Sequence, residues 1–482
     1  MPTILVLGDQ LFDGLPGMPD GPVFMQEDRA LATGMRHHQQ KVTLFFSAMR
    51  HFAAGCGREV RYVRWGESDR GLLENLLAQE QQEVVTYEPH DAGFAKQLRS
   101  ACAKQGVRLT LLDSPGFLTS ADDWTHCAAG TKRRLMADFY QRQRLRLGVL
   151  MDGDQPEGGQ WSFDADNRKP VPRGKRPPSI WWPEPDGVTQ EVIKLVEREF
   201  TDHPGAASDF RWPVTHEGAR EWLSEFLESR FAEFGPYEDA MLSEEVMLWH
   251  SGLSMLINCG LLTPREVVDA ALQMPGIPIA SREGFIRQVI GWREFIRGID
   301  RDYHQAQRSF SSPFGNSRKL GSAWWDGSTG LPPLDTVIRR VQRHGWCHHI
   351  ERLMIAGSAM LMSDVDPHEA YRWFTEMFID SADWVMAPNV YGMSQLADGG
   401  LFATKPYISG SAYILKMSDL PRGEWCEVWD GLYWRFIHRN RNWIAANRRM
   451  GPVVGGFDRL EPQRRDRILN LADEFIARTT TA

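Results

Sequence analysis

Cysteine is scarce in this chain and poorly placed for disulfide or metal chemistry. Its six cysteines, Cys56, Cys102, Cys127, Cys259, Cys347 and Cys426, stand far apart and include no C-x-x-C pair, so neither a disulfide framework nor a zinc knuckle is expected. Long apolar runs are missing too. No segment stays apolar for the roughly 20 residues that span a bilayer, and the opening MPTILVLGDQ lacks the basic start, apolar centre and small-residue cleavage site of a secretory signal. No membrane association is expected, and the chain reads as cytoplasmic. Positive charge is not in excess: a net charge of −8 gives no global pull toward nucleic acid. There is no internal repeat and no low-complexity tract.

What is present points to a globular protein. A length of 482 residues, 42 % of them hydrophobic and 24 % charged, allows two or three domains with substantial cores. Basic residues cluster in KRRLMADFYQRQRLR (132–146), RKPVPRGKR (168–176) and RFIHRNRNWIAANRR (435–449); each is either a solvated face or part of a phosphate-binding surface. The 18 tryptophans are enough to supply stacking surfaces beyond ordinary core packing.

From residue 1 to 130, TILVLG, VTLFFS, VRYVRW, EVVTYE and RLTLLD read as strands, separated by helical patterns such as EDRALATGMRHH. Alternation of this kind predicts a doubly wound, Rossmann-like parallel sheet. The first strand runs into GDQL and not into G-x-G-x-x-G, so the standard dinucleotide fingerprint is missing. Residues 131–190, rich in Pro, Gly and charge from about 150 onward, read as an interdomain linker. Over 191–482 amphipathic patterns such as GAREWLSEFLESRF and LDTVIRRVQRHGWCHHIERLMIAGSAMLM predict a mostly α-helical domain.

Three stretches could carry chemistry. In HSGLSMLINCGLLTPREVV (250–268), Ser251 and Ser254 either cap a helix or hold phosphate at its start. The segment 383–418 is irregular and dense in Gly, Asn, Asp, Ser and Tyr, which suits close approach to a polar ring ligand. In GWCHHIERLM (345–354), His348, His349 and Arg352 can share one broad helix face. Adjacent histidines point about 100° apart on a helix and no H-E-x-x-H occurs, so no metal site is expected there.

The order of SGLSMLINCGLLTPREVV, FIRQVIGWREF, WCHHIERLM, DWVMAPNVYGMSQLADGG and TKPYISGSAYILKMS, with GDQL and HHQQKVTLFFSAMRHFA near the start, resembles the bacterial cryptochrome and (6-4) photolyase family, photolyase-related proteins of the iron–sulfur type. The resemblance implies an α/β antenna domain followed by a helical domain that binds FAD, the photolyase/cryptochrome architecture. It implies Ser251, Leu253, Ser254, Arg293, Asp383, Asn389 and Asp398 at the flavin, with Asn389 facing N5. It implies His349 as proton donor, with His348, Tyr407 and Arg352 around the lesion, and Trp373 and Trp325 as electron relays. Phe374 stands where relatives carry a tyrosine. The implied activity is light-driven repair of (6-4) photoproducts in UV-damaged DNA by electron transfer from excited reduced FAD, carried out by a monomer. A blue-light photoreceptor of the cryptochrome kind is the alternative.

Relatives bind 6,7-dimethyl-8-ribityllumazine as antenna, and Asp9, Gln10 and Glu27 fall at that pocket, although MQEDRALATGM departs from the pattern and leaves the chromophore open. The cluster cysteines are another departure: TGLPPLDTV has none, and KMSDLPRGEWCEVWDGLYW has only Cys426. A cubane takes four ligands, so no iron–sulfur cluster is expected, and Trp425, Val428 and Trp429 are the residues available to fill its space.

Overall fold

The computed structural model describes residues 1–78, 82–128, 134–307 and 309–482. The domain boundary expected at 130 and the first two residues of the basic stretch 132–146 lie outside them. Five parallel strands, β1 (Thr3–Leu5), β2 (Val23–Gln26), β3 (Val60–Val63), β4 (Glu83–Tyr87) and β5 (Arg108–Leu112), form one sheet in the order β3-β2-β1-β4-β5. Ile4 of β1 pairs with Val23 on one side and Val85 on the other. Both faces of this centre are covered, as an all-parallel sheet requires. The order reverses beside β1, and in such sheets ligands collect at the carboxyl ends near that switch. There, Glu88 and His90 after β4 and Asp113 and Ser114 after β5 line a cavity of about 200 Å³.

One expected strand is a helix. VTLFFS lies within Gln39–Gly55, where His38 Nδ1 accepts from the Gln40 amide and caps the first turn. Val42, Leu44, Phe46 and Met49 are all buried, because the helix is covered on two sides; its β-branched and aromatic residues answer to burial, not to a strand. The strand that replaces it, β2, comes from PVFMQE. Helix Gly187–Glu199 then packs on Gln39–Gly55, and the stretch read as linker contains helix Met136–Leu147, which contacts the segment Arg287–Arg293.

A single buried cluster runs from Ile4 and Val6 of the sheet through Trp222, Phe226 and Leu256 to Ile290, so sheet and helices share a core. The pattern read as one helix over 334–362 is broken: Pro332–His344 ends on Gly345, whose φ of 63° is the left-handed conformation glycine tolerates. Farther on, helices Trp425–Arg439 and Pro462–Thr479 cross tightly at Gly431, where a Cβ would stand 2.1 Å from the Ile468 carbonyl oxygen. Trp425 and Trp429 are buried beside that crossing, with their indole N–H groups donated to the Pro421 and Ser409 carbonyls.

Candidate active site

Three stretches of the helical half, Arg287–Arg293, Glu351–Gly357 and Pro388–Ser394, wind as π-helix. A π turn holds one residue more than its helix needs and survives mostly where it serves a site. All three meet at one cavity of about 340 Å³, contributing Gln288 and Arg293, Arg352 and Leu353, and Asn389 and Met393 to its wall. His250, Ser251, Leu253, Ser254, His348, His349, Phe374 and Asp380 also line it, as do the acids Glu238 and Asp239.

Arg352 organises it. Its Nη1 and Nη2 donate to the two oxygens of Asp380, both at 2.9 Å, and its Nε donates to the Cys347 carbonyl at 2.8 Å. Burial opposes the guanidinium charge, but Asp380 outweighs it and raises the Arg352 pKa. Asp380 Oδ2 also accepts from the Ser254 hydroxyl at 2.5 Å, so this serine is committed to the wall. Lys41, reaching in from helix Gln39–Gly55, donates to the Ser381 hydroxyl at 2.8 Å. Burial lowers its pKa to about 7 against the pull of Asp380.

His349 projects into the cavity: it is exposed by surface area, yet protein surrounds it. Burial first, and the Arg352 charge second, lower its pKa to about 4, so it is neutral at pH 7. His348 is wholly buried and stacks on His250, with ring centroids 4.5 Å apart and planes at 12°. Both are held far below their ordinary pKa, chiefly by burial. The helix begins at His349, with His348 just ahead of it, so the two rings diverge instead of sharing the face expected of one long helix. Gly252 shapes the neighbouring turn: its φ is 63°, and a Cβ would lie 2.4 Å from Met247 Cε.

Of the residues expected at the flavin, Ser251, Leu253, Ser254, Arg293 and Asn389 share this wall. Arg293 lies 4.6 Å from the Phe117 ring centroid and 5.1 Å from that of Trp384. Asp383 and Asp398 are not among the wall residues. Asp383 accepts from the Tyr371 hydroxyl and lies 3.6 Å from His304 Nδ1, and Asp398 accepts from the Gly400 amide at 2.8 Å. The acid on the wall beside Arg352 is Asp380, which sequence reasoning missed. Tyr407 is also off the wall, half-buried, with burial raising its phenol pKa and Arg449, Arg168 and Asp164 as its charged neighbours. Arg168 lies 3.9 Å from Asp239, a wall residue, which places Tyr407 with the rim.

The tryptophans form a file leading away. Phe374 is on the wall, and Trp373 meets it edge-on at 5.0 Å. The Trp373 indole donates to the Trp324 carbonyl at 2.8 Å, and Trp325 follows, half-buried between the guanidinium groups of Arg36 and Arg372.

The expected antenna residues are differently engaged. Asp9 pairs with His90 at 3.2 Å. Gln10 donates to the Tyr87 and Glu88 carbonyls, which ties the end of β1 to β4. Glu27 accepts from Arg50 Nε at 2.7 Å and Nη2 at 3.1 Å, from the Tyr62 hydroxyl at 2.9 Å and from the Trp65 amide at 2.7 Å.

Residues 4–212 match the deoxyribodipyrimidine photo-lyase-related protein family, and residues 285–415 match the FAD binding domain of DNA photolyase. A (6-4) photolyase of Agrobacterium fabrum is 36 % identical over 98 % of this chain and 98 % of its own. The chain belongs to the photolyase family. More distant photolyase relatives include a deoxyribodipyrimidine photo-lyase of Streptomyces griseus, 26 % identical over 41 % of each chain. In fold, the photolyase architecture here is similar to a bacterial class III photolyase from Agrobacterium tumefaciens (TM-score 0.54, 16 % identity, 99 % of this chain and 98 % of that one). It is likewise similar to a cryptochrome from Synechocystis (TM-score 0.58, 12 % identity, 97 % and 93 %).

Proposed function

We propose that the chain repairs (6-4) photoproducts in UV-damaged DNA, using light and FAD bound in the cavity of the three π turns. The observation that carries the reading is His349, a neutral imidazole set into that cavity beside the Arg352–Asp380 pair. The wall fits FAD in chemistry: it is largely apolar, yet Arg293 Nε and Nη2 are buried without a hydrogen-bond partner, and such donors ordinarily find an acceptor. Reduced FAD supplies the electron on excitation. The protein's part is orientation and proton placement. Arg293, Ser251 and Asn389 would hold the cofactor, and the Arg352–Asp380 pair would fix the charge beside it. His349 holds a proton for the lesion at a ring nitrogen: a nearby anionic or carbonyl oxygen raises its pKa as the damaged pair enters. Tyr407, Arg168 and Arg449 at the rim meet the flanking strand, and phosphate contacts of this kind bind without sequence preference.

An iron–sulfur cluster does not fit these residues. Cys426 is packed into the helix pair around Gly431 and all six cysteines are free. Among the described residues no three His, Cys, Asp or Glu side chains stand where they could hold one metal ion. For a ribityllumazine the fit also fails at Gln10 and Glu27, whose polar atoms are taken up by protein partners, so no light-harvesting step is assigned to them. Among the described residues no helix is long and apolar enough to cross a membrane.

The test is an oligonucleotide carrying one (6-4) photoproduct, incubated with fully reduced protein in blue light and in darkness. Repair in light alone is expected. His349→Ala should keep FAD and DNA affinity and lose repair by about 10²-fold or more, the usual worth of a general acid. Failure of the wild type to repair in light would favour a photoreceptor.

A further inference from the structure

Behind the stacked histidines lies a feature that flavin binding and lesion recognition leave unexplained. His348 is completely buried, and neither of its ring nitrogens has a hydrogen-bond partner. Its Nε2 lies 3.5 Å from Glu351 Oε2, which is itself buried and without a partner. Glu351 Oε1 is engaged by Arg340, whose Nη2 also donates to the Leu242 and Ser243 carbonyls at 2.8 and 2.9 Å. Arg340 therefore accounts for one oxygen of Glu351 and not the other. Two buried polar groups facing each other at slightly more than hydrogen-bond length are unusual in a finished core. Such contacts tighten when a site is at work.

The pair also connects two spaces. His348 lines the flavin cavity, and Glu351 lines a second, smaller one of about 20 Å³ on its other side. That volume holds about one water molecule. Ser243, Ser418 and Asp419 supply it with polar neighbours, and Ser243 is itself hydrogen-bonded to Asp419 near the surface.

We propose that Glu351 and His348 form a proton inlet from this outer cleft to the flavin cavity. The inference rests on the reading of the cavity as a flavin site. A proton from bulk solvent, relayed by a water in the cleft that gives up one proton as it takes another, passes to Glu351 Oε2 and from there to His348 Nε2. His348 then releases the proton on its other nitrogen to an acceptor in the cavity, and the ring is left neutral in the opposite tautomer. No charge accumulates: Glu351 returns to the carboxylate that pairs with Arg340. The need for such a path follows from the site. DNA seated over the mouth closes the direct route to bulk water, and Arg352 does not deprotonate. His349 is neutral at rest. The charged and titratable groups facing the inlet are Arg340 from helix Pro332–His344, His250 and Arg230 across the stack, and Cys347, His349 and Arg352 from the same stretch of chain. Burial and the neighbouring Arg340, His349 and Arg352 disfavour a lasting positive charge on His348, as a transit site requires.

The experiment uses flavin-loaded protein and the isosteric variant Glu351→Gln, which can still accept from Arg340 but cannot carry a proton. Proton uptake on photoreduction of the bound flavin is followed with a pH-indicator dye, alongside repair and the light-minus-dark infrared spectrum. The expected result is uptake slowed at least about tenfold, partly restored by added formic acid. A carboxylic acid C=O band should appear in the wild type and be missing from the variant, while flavin content stays unchanged. If Glu351→Gln does not fold, Glu351→Asp keeps the charge beside Arg340 and retracts the carboxylate from His348, with the same slowing and rescue expected. Uptake at the wild-type rate in a folded variant, even one of lowered melting temperature, overturns the inlet and leaves Glu351 as the counter-ion of Arg340. Slowed uptake in a protein that repairs nothing would retain the inlet and discard the repair assignment.

Discussion

Arg352 and Asp380 face each other through two parallel hydrogen bonds of 2.9 Å on the cavity wall. Parallel bonding of this kind fixes the planes of both groups, and it sets Asp380 in the wall, where Asp383 does not reach. Asp380→Asn leaves a buried guanidinium without its counter-charge, at a cost of about 3–5 kcal/mol. Its melting temperature and its FAD content after purification should both fall. Asp383→Asn should keep its FAD, and equal loss from both variants would show that the wall is wrongly drawn.

The file from Phe374 through Trp373 to the partly exposed Trp325 gives the second prediction. Indoles oxidise readily, and Trp373 is the first of them behind the wall. Trp373→Phe should slow photoreduction of oxidised flavin severalfold and spare repair once the flavin has been reduced with dithionite. Transient absorption after a blue flash measures the first and the oligonucleotide assay the second. Unchanged photoreduction would send the electrons by another route.

Much of this was legible in the residues alone. TILVLG, VRYVRW, EVVTYE and RLTLLD read correctly as strands because a buried parallel strand is a short apolar run bounded by turn residues. VTLFFS obeys the same rule and is a helix, since a helix covered on two sides loses its polar stripe. His348, His349, Arg352, Ser251, Ser254, Arg293 and Asn389 were named through the family resemblance, and the fold brings them to the wall of one cavity. Asp380 was not, because two acids three residues apart in an irregular segment differ only in where the backbone turns. The three π turns carry no pattern either: each depends on one residue too many in a helix, which periodicity does not register.

Acid should destabilise the protein through its histidines. Burial lowers His38 and His344 to about 4, and lowers His37, His250 and His348 well below the ordinary value. Between about pH 6.5 and 4 the unfolded chain binds protons that the folded chain refuses. Stability is therefore complete above that window and falls as pH drops through it. The melting temperature should decline by on the order of 5 °C or more from pH 7 to pH 5. A flat profile would mean that these rings are hydrated.

The proposed absence of an iron–sulfur cluster leaves helix packing to fill the region around Cys426. Purified protein should contain no iron, and about four irons per chain would refute the reading of Cys426. Gly431→Ala should be destabilising by about 1–3 kcal/mol, because the added methyl meets the Ile468 carbonyl and forces the two helices apart. Chemical denaturation measures it, and a neutral result would show that the crossing is looser than drawn.

Flavin stoichiometry bears most directly on the whole proposal. Protein purified in the dark should be yellow, release about one FAD per chain on denaturation, and take the cofactor up again after removal, with Arg293→Ala taking up less. A colourless protein that ignores added FAD would contradict the assignment of the cavity.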